Sequence, residues 1–230
     1  MKTPGHRVTE ALRSERAKPL ISTGLLEQPL AVLDLTAANQ ALHDVDLADP
    51  IAFQAYLDGV LRNAGAAVAV GRYDEDRIVY RHSGLFGGGA EARSVHLGVD
   101  LFVASGTPLM APLDAVVHSL GDNASCGDYG PTIILEHVVG GVCFHSLYGH
   151  LDRGSLRKWR DGDAVKAGEP FACIGTHEEN GGWPPHVHVQ LIAELGRSRG
   201  DFPGVAARSE RVRMLGICPD PNVMLHLQEL

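Results

Sequence analysis

The chain has 230 residues, 44% of them hydrophobic and 21% charged, with 28 Asp and Glu against 20 Lys and Arg, a formal charge of −8. Such a length and composition suit one folded domain with a modest appendage and exclude a disordered chain. An acidic balance without any Lys/Arg run also excludes a general nucleic-acid binder, which needs a basic face to neutralise phosphates.

Taken in chain order, residues 1–24 carry Arg7, Arg13, Arg16 and Lys18 with no apolar run behind them, and the apolar stretch 30–35 is broken by Asp34. This pattern holds neither a secretory signal nor a membrane span, so a cytoplasmic protein is expected. A leader missing from the start would instead point to the periplasm or the cell exterior. Residues 1–23 are expected to be flexible or loosely packed. Asp49-Pro50 reads as a helix start, with Ile51, Ala55 and Leu61 at near-helical spacing over 50–61 and Asn63-Ala64-Gly65 as the stop. Residues 66–71 suit a short buried strand.

From Arg77 onward, short apolar runs alternate with Gly, Pro, Asp and Asn, which predicts strands over 78–80, 99–103, 115–118, 132–136, 142–147, 171–174 and 187–192. A helical turn is expected at 155–159 and a chain reversal at 162–170. Pro203, Pro219 and Pro221 argue for an extended tail that ends in a helical turn. The fold class expected is mainly β, an antiparallel sheet or sandwich with a small α/β N-terminal extension. The divisions are an extension at 1–76, a central domain at 77–195 and a tail at 196–230 packed on it. Cys126, Cys143, Cys173 and Cys218 form no CxxC pair, and free thiols in a reducing compartment are expected.

Histidine is the unusual residue, with 12 copies. In Pro185-His186-Val187-His188-Val189-Gln190, a strand puts His186 and His188 on one face and the two valines on the other. Two imidazoles side by side suit a metal ligand beside a second functional group, although the same alternation describes a half-exposed strand with histidines in solvent. His96-Leu97-Gly98-Val99-Asp100 can converge a nitrogen and an oxygen donor if Gly98 bends the chain between a turn and a strand. His150 closes the apolar run Leu147-Tyr148-Gly149. His82, His118, His137, His145, His177 and His226 have no motif partner and are expected to be structural or exposed. His145 lies an odd number of positions from His150, on the other face of a regular strand.

The ordered set HLGVD, TPLMAPLDAVV, GPTIILEH, LYGHL, DAVKAGEPFACIG and PHVHVQ resembles the lysostaphin/LytM-type zinc metalloendopeptidase family. The resemblance covers about 77–192, half of the chain, and the ordered set is far more specific than any single motif. Carried over residue by residue, it implies a lysostaphin-type domain at 77–195 and one Zn2+ per chain held by His96, Asp100 and His188. It also implies His150 and His186 as catalytic residues. Three protein ligands leave a fourth position for water, the arrangement of a catalytic site. The sequence departs from the family before and after its HxH motif, with Asn180-Gly181-Gly182-Trp183-Pro184-Pro185 and Gln190 where Thr-Gly-rich sequence and an acidic residue are usual. Trp183 and Tyr148 are expected as substrate contacts, each with a plain structural reading beside it.

The segments outside the minimal peptidase, Val70-Gly-Arg-Tyr-Asp-Glu-Asp-Arg77 among them, resemble a peptidase-like subgroup. That subgroup also occurs in bacterial fusions beside a kinase-like domain and a class III aminotransferase. The implied function is hydrolysis of a peptide bond by metal-activated water, on a peptide, a small amide or a peptidoglycan-derived fragment. The alternative is a non-enzymatic, zinc-bound module for binding or assembly. Manganese, iron or nickel fit the same ligands. The cleaved bond, the oligomeric state and whether the N-terminal segment blocks the groove are not written in the sequence.

Overall fold

The computed structural model describes residues 2–82, 86–87, 91–228 and 230, with the backbone alone at Arg81 and His82. The expectation for the His82 side chain therefore lies outside it, as does residue 1 of the segment 1–23. In chain order the elements are α1 (Pro4–Leu12), α2 (Thr23–Leu26), β1 (Leu30–Val32), α3 (Pro50–Ala64), β2 (Val68–Gly71), β3 (Arg93–His96), β4 (Val99–Phe102), β5 (Pro108–Met110) and β6 (Ala115–Asn123). They continue with β7 (Gly130–Val139), β8 (Val142–Gly149), α4 (Arg153–Leu156), β9 (Ala164–Val165), β10 (Pro170–Cys173), β11 (His186–Ile192), β12 (Val205–Ala207), α5 (Arg211–Leu215) and α6 (Asn222–Leu225).

The protein is mainly β. Eight strands form one sheet in the order β1-β2-β4-β11-β8-β7-β6-β9, in which only β1–β2 is parallel. Two-stranded sheets β10–β5 and β12–β3 flank it. Alternation divides the side chains of the large sheet between two layers. Val99, Leu101, Val187, Val189 and Leu191 join Phe144, Tyr148 and Phe171 in the main core. The opposite face of β4 and β11 carries the polar residues described below. No helix among the described residues is long and apolar enough to cross a membrane.

Segments flanking the central domain are built into this framework. Asp49 caps α3, accepting a hydrogen bond from the Ile51 amide, Pro50 occupies the first turn, and Gly65 ends the helix in the left-handed region at φ 61°. Buried Phe53 and Leu57 of α3 pack a second core against Leu35, Ala69 and Phe102. Residues 2–23 are ordered rather than loose. Thr3 caps α1, Val8 and Leu12 are buried in the main core, and the Gly5 amide bonds to the Gly216 carbonyl. The amphipathic spacing of Val8 and Leu12, four apart, gives this nine-residue helix a face to bury, which outweighs its short length.

Two further expectations change. Residues 79–82 form a 3-10 turn instead of continuing a strand. The tail is not extended: it pairs β12 with β3, turns through α5, and ends beside α1 through α6. Prolines at 203, 219 and 221 sit between these elements, where a missing N–H costs no ladder bond.

Candidate metal centre

Register unites residues that are far apart in the chain. In the antiparallel β4–β11 pair His188 stands opposite Asp100 and His186 opposite Phe102. His96 ends β3, and the Leu97-Gly98 link turns the chain into β4. Gly98 is required by close approach: a Cβ there would lie 2.5 Å from both His188 Cε1 and the Val189 carbonyl oxygen.

His96, Asp100 and His188 are each buried, at 1%, 3% and 3% exposure. Their donor atoms form a triangle: His96 Nε2 to His188 Nδ1 is 2.9 Å, His188 Nδ1 to Asp100 Oδ1 is 3.0 Å, and His96 Nε2 to Asp100 Oδ1 is 3.2 Å. The second nitrogen of each ring fixes the tautomer. His96 Nδ1 lies 2.9 Å from the Arg72 carbonyl oxygen, which only accepts, so Nδ1 carries the proton and Nε2 a lone pair. His188 Nε2 donates to Gln190 Oε1 at 3.0 Å. That amide is oriented in turn, since Gln190 Nε2 donates to the Pro203 carbonyl at 3.1 Å and to Cys218 Sγ at 3.2 Å.

Three lone-pair donors thus converge in a dry place with no proton of their own to share. One proton can bridge only one edge of the triangle at a time, whereas a cation at its centre satisfies all three. Two imidazoles and a carboxylate suit zinc at about 2.0–2.2 Å, and a tetrahedron of such bonds has edges of about 3.3 Å. The observed edges are within a few tenths of an ångström of that value, so the donor set fits the ion that the sequence resemblance implies.

Asp100 is held from behind. Its Oδ2 accepts from Arg77 Nη1 at 2.6 Å, while Arg77 Nε donates to Glu75 Oε2 at 3.0 Å and Nη1 to the Tyr80 hydroxyl at 3.2 Å. Arg77 is 2% exposed, and Glu75 also accepts from Arg72 and from the Leu35 amide. Burial opposes ionisation of Asp100, but the neighbouring His96 and the Arg77 guanidinium hold its carboxyl well below the usual range. Orientation of ligands by such partners is as much a part of a metal site as the ligands themselves. Sequence reasoning missed Arg77, Glu75 and the role of Gln190. The available signal was the charged run ending at Arg77, which lies outside the minimal motif set.

His150 and His186 form a second pair, with ring centroids 4.0 Å apart. His150 Nδ1 donates to the Asn180 carbonyl at 2.8 Å and His186 Nδ1 to the Pro184 carbonyl at 2.7 Å, leaving both Nε2 atoms as bases. His150 adopts φ 63°, a left-handed conformation uncommon for a non-glycine residue. Bonds from its amide to the Tyr129 carbonyl and from the Gly175 amide to its own carbonyl hold it there. Burial pushes His186 down to about 4 and His150 well below its usual range, so both are neutral at pH 7; burial and the Arg77 charge bring His96 to about 4 as well.

These groups share a cavity of about 250 Å³ lined by Asp100, His150, His186 and His188 together with Tyr129 and Trp183. Tyr148 is elsewhere: fully buried, edge-on to Phe171 in the main core and outside the cavity lining, because it stands opposite core-facing Val189 while His188 stands opposite Gly149. It cannot touch a substrate bound at this centre. Among the other histidines, His137 is buried against Ser146 and Phe144, and His145 faces Glu136 and His118, away from the centre. All four cysteines are free thiols.

A largely antiparallel sheet thus carries a buried His–Asp–His cluster that could hold a metal ion, beside two neutral histidines. Residues 94–199, just under half of the chain, match the model of peptidase family M23, and this segment is similar to that family. A metalloprotease of Haemophilus influenzae, described as uncharacterized, is 34% identical over 96 residues, which is 42% of this chain and 18% of that protein. The chain is also similar to a zinc containing peptidase from Vibrio cholerae, with 23% identity over 49% of this chain and 30% of that one at a TM-score of 0.36. The catalytic domain of the antimicrobial peptidase lysostaphin from Staphylococcus simulans is 24% identical over 52% of this chain and 80% of its own, with a TM-score of 0.35. The matched region is thus a minor part of the first two relatives.

Proposed function

We propose that the chain is a zinc-dependent amide hydrolase acting on a peptide or a peptidoglycan-derived fragment, with one Zn2+ per chain on His96, Asp100 and His188. The observation that carries this reading is the convergence of three buried, proton-free donor atoms within 3.2 Å of one another. Zinc bound there would supply Lewis acidity, polarising the scissile carbonyl and lowering the pKa of a water.

The chain's own residues do the rest. His150 and His186 each present an Nε2 lone pair, anchored through Nδ1 on a backbone carbonyl. One of them accepts a proton from the attacking water, and as an imidazolium it returns that proton to the leaving amine. The other accepts a hydrogen bond from the remaining O–H of that water and so orients it for attack, its fixed ring costing little reorganisation. Asp100, neutralised from behind by Arg77, holds its carboxylate in place for the ion. Exposed thiols at Cys126 and Cys143 support a reducing compartment, the cytoplasm, as the place of action.

The test is elemental analysis of untagged protein beside a His188→Ala variant, with peptides and wall fragments screened for hydrolysis by mass spectrometry. About one zinc per chain, lost in the variant, together with cleavage that disappears in His150→Ala, is the expected result. A wild-type protein that takes up no metal when zinc is supplied sinks the reading.

A further inference from the structure

The cavity at the metal centre has an unusual composition. Seven of the thirteen aromatic residues of the chain line it. They begin at the catalytic pair: Phe102 stacks on His186 with centroids 4.6 Å apart, and Trp183 stands edge-on to both His150, at 6.4 Å, and Tyr80, at 6.1 Å. Phe53 then continues the wall, edge-on to Phe102 at 6.3 Å. The Tyr80 hydroxyl accepts from Arg77 Nη1, and Trp183 is fixed through its backbone amide, which donates to Asn180 Oδ1. Charge enters the lining at Arg93, Asp128 and Asp201, which with Gly127, Trp183 and Pro203 are its more exposed members.

Much of this wall lies outside the family-matched segment 94–199. Leu35, Phe53 and Tyr80 come from before it, and Phe202 and Val205 from after it. Leu35, Phe53, Tyr80 and Val205 belong to the second core, so the wall is as rigid as the fold. At about 250 Å³ the space lies just below the roughly 300–1,000 Å³ range of small-molecule sites, room for one or two residues and not for a long chain.

From this arrangement we infer that the site takes a short amide substrate whose residue next to the scissile bond carries an aromatic or large aliphatic side chain, seated on Phe53, Tyr80, Phe102 and Trp183. The inference rests on the zinc-hydrolase reading and names its substrate class. A ring transferred from water onto such a wall, compared with a methyl group, gives roughly 30- to 100-fold tighter binding.

The test uses two metal-directed probes with the same chelating head, acetohydroxamate and phenylacetohydroxamate, titrated calorimetrically into the zinc-loaded full chain. The aryl probe is expected to bind at least 30-fold tighter. The ratio is expected to fall at least tenfold in Trp183→Ala, which changes a half-buried loop residue, and in Phe53→Leu, a change mild enough for the fold to survive. Peptides differing only at the residue before the cleaved bond should show the same order in kcat/KM, Phe and Leu above Ala and Gly. Equal affinity of the two probes overturns the inference and leaves the metal reading intact. Failure of both probes in a protein that elemental analysis shows to be metal-free overturns the metal reading, and this inference with it.

Discussion

Replacing Arg77 by Met tests the account of what lies behind the metal centre. Arg77 bridges Asp100 and Glu75 with 2% of its side chain exposed, so its removal strands charge in a buried place. Breaking a buried pair from one side costs about 3–5 kcal/mol. The lower end applies here, because Glu75 keeps Arg72 at 2.6 Å and the Leu35 amide at 3.2 Å. Asp100 is the group that loses its cation. A loss of about 3 kcal/mol corresponds to a fall in Tm of roughly 6–12 °C for a chain of this size. The assay is thermal and urea unfolding of the metal-free protein, repeated with zinc. Zinc is expected to stabilise R77M more than the parent, since the ion supplies the positive charge that the variant lacks. R77M/D100N, which removes the stranded charge, should recover at least half of the loss in the metal-free state. A fall of less than about 2 °C would refute the reasoning, and a double variant no better than R77M would assign the loss to packing instead.

Four other outcomes follow from the same geometry. Gly98→Ala drives a methyl into the His188 ring and the Val189 carbonyl and should abolish metal uptake, as read by elemental analysis; a variant that loads normally would show that β11 can yield. Gln190→Ala releases His188 Nε2 and is expected to weaken metal affinity by about 10–100-fold in a chelator competition. His150→Ala should keep its metal and lose about 10²–10⁴ in kcat; parallel loss of metal would mean that the residue is structural. His137, brought to about 4 by burial, is neutral in the folded state and titrates near 6.5 when unfolded. The unfolded chain binds the extra proton between these values, so stability falls with falling pH across that window, by about 2 kcal/mol from pH 7 to pH 4.5 for this group. A His137→Gln variant should show a correspondingly flatter profile in urea titrations at the two pH values.

The period-2 pattern of PHVHVQ already separates the face that packs the core from the face that carries His186, His188 and Gln190. The Asp49-Pro50 pair marks a helix start, because capping is chemistry of adjacent residues. Pairings between distant segments are a different matter. Nothing local says that His188 will stand opposite Asp100, 88 positions away, and it was the ordered motif set that joined them. Arg77 shows the limit most clearly. A charged side chain in an Asp-rich run reads as surface, and only the folded chain reveals that carboxylates on both sides make its burial tolerable. Tyr148 errs the other way: two positions before His150, it would share that residue's face in a regular strand, but β8 ends at Gly149 and the left-handed His150 breaks the alternation, leaving Tyr148 opposite Val189 in the core. The order of α1 depends on Gly216 and β8, contacts that residues 1–23 cannot announce.

The position of β4 in the large sheet bears on how the protein is handled. Asp100 has Gly71 of β2 on one side and His188 of β11 on the other, so the strand that bears the carboxylate is interior to the sheet. Asp100, Leu101 and Phe102 are paired on both sides before any ion arrives. Stripping the ion with a chelator should therefore leave a folded, reloadable template. One preparation can then be charged in turn with cobalt for spectroscopy, cadmium for magnetic resonance and zinc for turnover.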